Sequence, residues 1–173
     1  LIGDSHARHF SEPVVRAGNE LALDGTVATK LGCPFLLGIE TPFTREDRRE
    51  GDKRCQPFYE SVLAGLTADP PDVVVLAGAT TMSVEELALS YRSDVGEPNA
   101  DVRARFWQAA LDDTVGRLEA AGIAVALVHD VPYFLVSPVS CGRLRSFVDP
   151  CAGTVDADYA RAHRQRGYDA EDA

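Results

Sequence analysis

Hydrophobic positions along this chain fall into two patterns. Continuous, largely β-branched runs stand at VVVLAGA (residues 73–79) and IAVALVHD (123–130), and a run without polar alternation predicts a strand covered on both faces. TVATK (26–30) reads as a shorter strand, and Leu1-Ile2 as the end of one that stops at Gly3. Elsewhere apolar residues recur at helical spacing. Val14, Val15, Ala17, Leu21 and Ala22 predict a helix from about residue 11, with Pro13 near its first turn and Asp24-Gly25 as its stop. Phe58, Val62, Leu63 and Leu66 predict a second over 56–68, broken by DPPD (69–72). Val102, Phe106, Ala109, Ala110, Thr114 and Leu118 predict a third over 101–121, ended by Gly122. A polar helix is expected near 156–166, and an insertion at 80–100 is expected to carry a short helix around 84–91.

The order strand, helix, strand, helix, strand, helix, strand, helix predicts an α/β fold with a doubly wound parallel sheet. Residues 1–173 read as a single domain, large enough to bury a core. A closing strand is expected after the last helix, and the chain ends without one. It also begins at Leu1 rather than Met, so it is expected to be a piece of a longer protein. Phe58, Phe106 and Trp107 are assigned to the core. The mixed charges of TREDRREGDKR (44–54) are assigned to a solvated loop.

Charge narrows the function. A formal net charge of -10 and a pI near 4.8 exclude nucleic acid as the expected partner, because phosphate binding needs clustered Lys and Arg. No apolar run approaches the roughly 18 residues of a membrane span. Four cysteines form two local couples, Cys33 with Cys55 and Cys141 with Cys151, each bracketing a stretch without periodicity. Neither couple is CxxC or has a matching His pair, which argues against zinc. Two disulfides are expected instead, and with them an oxidising compartment, periplasmic or extracellular.

The candidate chemistry lies in LIGDSHARHF, residues 1–10. In an open parallel sheet, ligands sit at the carboxyl ends of the strands near the switch in strand order. Ser5 falls just past a strand end and just before a helix, where a nucleophile belongs and where helix amides can stabilise an oxyanion. On position alone, Asp4 and Ser5 serve equally well as turn and cap residues. Asp4, His6 and His9 lie too close along one turn for metal-type spacing, so no metal is expected. Gly3-Asp4-Ser5-His6-Ala7 nearly fits the α/β-hydrolase elbow, but that fold places several strands before its serine.

LIGDSH resembles the first block of the GDSL/SGNH hydrolases. Together with Gly32-Cys33-Pro34, Cys55 before a helix, PDVVVLAG, HDVP and the late cysteine pair, it resembles a narrower group. That group is the SGNH domain fused to membrane-bound family-three acyltransferases, which O-acetylate bacterial surface polysaccharides. The resemblance spans essentially the whole chain and implies a three-layer, flavodoxin-like fold. It implies that Ser5 is the nucleophile and that its own amide is one oxyanion donor. Gly32 matches the second donor position better than Gly38 does, and Thr80 stands where many members carry the Asn of Gly-x-Asn. The family's Asp-x-x-His block is missing. Asp158 and His163 are five apart in a segment that reads as the preceding helix, and are rejected as its substitute. His129, on the same sheet edge as Ser5, is either a substitute base or a packed, capping histidine.

The function so implied is an extracytoplasmic acyltransferase domain. It would move an acetyl group through a serine ester to a cell-surface carbohydrate. No cofactor is expected on this domain; acetyl-CoA would be the ultimate donor, reached through a transmembrane acyltransferase portion of the same polypeptide that tethers it to the membrane. The 173-residue piece alone is expected to be nearly inactive, since a serine without its base is a poor nucleophile. A secreted carbohydrate esterase and a non-catalytic glycan-positioning module remain the alternatives.

Overall fold

The structure is a computed structural model and describes residues 1–39, 54–80, 83–84, 99–130, 157–162 and 164–172. Among the described residues, four parallel strands, β1 (Ile2–Gly3), β2 (Ala28–Thr29), β3 (Val73–Ala77) and β4 (Ala124–Val128), form one sheet in the order β2-β1-β3-β4. The described helices are α1 (Ser5–Glu20), α2 (Gln56–Ala68), α3 (Ala100–Ala120), α4 (Ala157–Ala162) and α5 (Gln165–Asp172). The expected α/β architecture is therefore the observed one. β1 lies inside the sheet although it is only two residues long, pairing Ile2 with Ala28 on one side and with Leu76 on the other.

Side chains alternate across a strand, and in β1 that alternation assigns the layers. A Cβ on Gly3 would meet Ala7 of α1, whereas Ile2 lines a cavity with Trp107 and Leu111 of α3. The two helices thus cover opposite faces. The main core is on the α3 side, where Ile2, Phe35, Tyr59, Val74, Leu76, Trp107, Leu111, Leu118 and Ile123 are buried together. On the α1 side, among the described residues, Val73 and Ala126 remain exposed.

α1 begins six residues before its expected start. Asp4 caps it, accepting the backbone N–H of His6, and satisfying a first-turn donor is enough to start a helix without an apolar stripe. Pro13 consequently sits inside the helix. The predicted stripe is not buried: Val15 and Leu21 face solvent, and Ala7 is the buried residue. The buried contact with the sheet is made at the first turn, by Ala7 beside Gly3 and Ala77, and α1 touches β1, β2 and β3. In α3 the buried stripe is Arg103, Trp107, Ala110, Leu111, Thr114 and Leu118, one residue out of phase with Val102 and Phe106 at its start. The large Trp107 ring fixes that choice of face. Asn99 caps α3 by accepting from the Val102 N–H at 3.0 Å. In α2 the most buried residue is Tyr59, edge-on to Phe35, with Phe58, Val62, Leu63 and Leu66 packed partly against the core.

The Cys33–Cys55 disulfide is formed, with both residues fully buried. It joins the loop after β2 to the N-cap of α2. The expected Cys141–Cys151 bond, the helix expected at 84–91 apart from Val84, and His163 lie outside the described residues.

Candidate active site

Gly3 allows the chain to turn from β1 into α1. Its φ is 150°, and a Cβ there would sit 1.8 Å from the Ala77 carbonyl oxygen. Glycine is the residue that lets two backbones approach so closely. Asp4 follows, with its carboxylate buried. One oxygen caps α1 through the His6 N–H at 2.8 Å, and the other accepts the Ala79 N–H, also at 2.8 Å. This single side chain fixes the start of α1 to the carboxyl end of β3.

Ser5 is the first residue of α1 and is half-exposed at this edge. Its hydroxyl makes no hydrogen bond within the described residues. The helix start supplies unpaired amides and the positive end of the helix dipole, while the His6 amide is already committed to Asp4. Gly32 follows the strand beside β1: the ladder continues past β2 with Lys30 N–H donating to the Gly3 carbonyl at 3.0 Å, two residues before Gly32. Gly32 has φ 66° at the third position of a Lys30–Cys33 turn closed by a 3.0 Å hydrogen bond, where glycine is favoured. Gly38, with φ 79°, lies further along the loop.

Two networks complete the edge. His6 Nδ1 meets Asp130 Oδ1 at 2.8 Å, and Arg164 Nη1 donates to Asp130 Oδ2 at 2.9 Å. The Asp130 side chain is fully buried, and its backbone carbonyl accepts the Tyr168 hydroxyl at 3.2 Å. The hydrogen bond to Asp130 holds the His6 imidazole above the usual histidine range, outweighing the effect of burial.

The second network joins β3, β4 and α5. Thr80 is buried and its hydroxyl donates to Glu171 Oε1. His129 Nδ1 meets Glu171 Oε2 at 2.6 Å, and His129 Nε2 meets Asp172 Oδ1 at 3.1 Å. Burial raises the Glu171 carboxyl above the ordinary range, opposed by its bonds to Thr80 and His129. The Glu171 bond raises the His129 imidazole. Glu171 also lines a cavity of about 20 Å³ on the α3 face, room for a single water, with Ile2, Phe35, Leu76, Trp107 and Leu127.

The carboxyl edge therefore carries Ser5, Thr80 and His129, as expected from strand order. Ser5 is half-exposed. Thr80 and His129 are both engaged by α5. A family model described as the SGNH domain fused to AT3 domains matches residues 1–171. The chain belongs to the SGNH domain family. Comparison with curated proteins and with solved structures finds no match. The family's description ties this SGNH domain to acyl chemistry and to a membrane acyltransferase partner domain. No helix of the described residues is long and apolar enough to cross a membrane.

Sequence reasoning did not identify Asp4 as the tie to Ala79, nor the partners Asp130, Arg164 and Glu171. The carboxylates lie in ordinary-looking segments, and no spacing rule links positions 6 and 130. The described residues contain no group of three His, Cys, Asp or Glu arranged to hold a metal.

Proposed function

We propose that this SGNH domain carries an acyl group on Ser5 and passes it to a hydroxyl of a cell-surface carbohydrate. The observation that carries this reading is the placement of Ser5, half-exposed at the first residue of α1, with the residues on both sides of it anchored. Ser5 Oγ would attack the acyl carbonyl while its proton passes to a base, and the donor's leaving group would depart from the tetrahedral intermediate. The acceptor hydroxyl would then attack the serine ester, giving the sugar ester and restoring Ser5. The unpaired Ser5 amide at the helix start is suited to the oxyanion, and the Gly32 amide is proposed as a second donor.

The acyl group is proposed to be acetyl, derived from acetyl-CoA through a transmembrane acyltransferase portion of the same polypeptide. The domain would then act in the periplasm or outside the cell. The test supplies the complete protein with an acetyl donor and a polysaccharide acceptor. Acetylated polysaccharide, lost on Ser5→Ala, is the expected product. Free acetate alone would replace transferase with esterase.

One observation favours a second reading. Thr80 and His129, the other two edge residues suited to acyl chemistry, are both bonded to α5. A glycan-positioning module would bind polysaccharide with unchanged affinity after Ser5→Ala and transfer nothing.

A further inference from the structure

We propose that His6 is a positioning residue for Ser5, acting through Asp130. The proposal rests on Ser5 being the acyl-carrying residue. Ser5 is flanked by two residues whose side chains leave the helix and grip the sheet edge. Asp4 grips the end of β3 through Ala79, and His6 grips the residue two beyond β4, Asp130. A carboxylate only accepts hydrogen bonds, so the proton between His6 and Asp130 belongs to His6 Nδ1. Asp130 is itself a fixed point, fully buried and held by Arg164 and by the Tyr168 hydroxyl.

His9, one turn further along α1, shows the contrast. It is exposed and stacks on His6 at 5.9 Å between ring centres. The His6 side chain is only 17% exposed. Among the described residues, the charged and titratable groups around His6 are Asp4 and His9 on its own segment, Asp130 after β4 and Arg164 before α5. Asp130 and Asp4 favour a donor-bearing ring fixed on Asp130, and Arg164 opposes its positive charge.

His6 is not thereby the base for Ser5, because adjacent side chains on a helix do not face each other. Its effect is on geometry. Without the Asp130 tie, Asp4 is the remaining side chain of the first turn that hydrogen-bonds to the edge among the described residues, and the Ser5 hydroxyl and amide lose part of their common frame. A misplacement of about 1 Å costs on the order of 100-fold in rate.

The test is capture of Ser5 by a fluorophosphonate in the complete protein, followed by intact mass. His6→Asn places an amide donor near the Nδ1 position, whereas His6→Gln keeps size and polarity but moves the donor outward. His6→Asn should be captured within about 3-fold of the parent, and His6→Gln about 10-fold or more slowly, at matched melting temperature. His6→Gln captured at the parent rate, or His6→Asn as slow as His6→Gln, overturns the proposal. Nitrogen NMR of the parent decides independently of whether a variant folds. It should show His6 Nδ1 protonated at pH 7, and a neutral ring protonated at Nε2 overturns the proposal. A parent never captured at Ser5 sinks both this inference and the acyl-serine reading. Capture of the parent, but not of Ser5→Ala, with no difference between His6→Asn and His6→Gln sinks this inference alone.

Discussion

The Asp4 carboxylate accepts the Ala79 N–H at 2.8 Å while capping the helix that begins at Ser5. A buried side chain just past the first strand is thus shared between a helix start and the end of the third strand. Removing it leaves a cap unfilled and the Ala79 N–H unpaired. Asp4→Ala is expected to cost about 2–4 kcal/mol, the sum of a lost cap and an orphaned buried donor. Asp4→Asn, which keeps one acceptor oxygen, should cost roughly half of that. Urea unfolding of the three proteins measures both.

Gly3→Ala should prevent folding. The new Cβ would fall 1.8 Å from the Ala77 carbonyl oxygen, and that oxygen belongs to the backbone of a paired strand. Gly65→Ala is the opposite case. It lies within α2, and a Cβ there meets nothing within 4 Å. This substitution should stabilise the domain by about 0.5–1 kcal/mol. Thermal melting of the two variants would separate a glycine required by close approach from one that is only a weak helix former.

Cys33→Ser with Cys55→Ser should lower stability by about 3 kcal/mol, the effect of opening a loop closed across 22 positions. The same loss should follow reduction of the parent under denaturing titration. An unchanged urea midpoint in the double variant would show that the buried aromatic packing of Phe35 and Tyr59 holds this loop unaided.

Folding stability should fall as pH rises through the elevated His6 value. His6 is held above its ordinary pKa of about 6.5 by Asp130. The folded state therefore binds this proton more tightly than the unfolded chain does. The stabilisation is complete below about pH 6.5 and disappears as pH climbs through the folded value. His129 and Glu171 are shifted in the same direction. His6→Asn isolates the first of these: its stability profile above pH 6.5 should be flatter than that of the parent. Parallel profiles would remove His6 from the titration.

Periodicity made the order of elements legible, because β3, β4, α2 and α3 are long enough for their apolar runs to speak. The start of α1 was not, since a cap and a buried alanine do the work there rather than a stripe. In α3 the sequence offered two overlapping faces, and the size of Trp107 decided between them. The site divided in the same way. Ser5 was legible because its position depends on chain order alone, following a strand and opening a helix. Asp130 and Glu171 were not, because their partners lie 124 and 42 residues away, and only the assembled fold brings them together.

β1 sits between β2 and β3, so it cannot take its place until much of the chain that follows it exists. Gly3 fits against Ala77, and Asp4 waits for Ala79. His6 has no anchor until Asp130 arrives. Every pairing of the sheet joins parallel strands across a long excursion, which makes assembly slow relative to local structure. During synthesis, then, Ser5 is an ordinary hydroxyl on an open chain. The frame that holds its hydroxyl at the sheet edge is complete only once these distant partners have met.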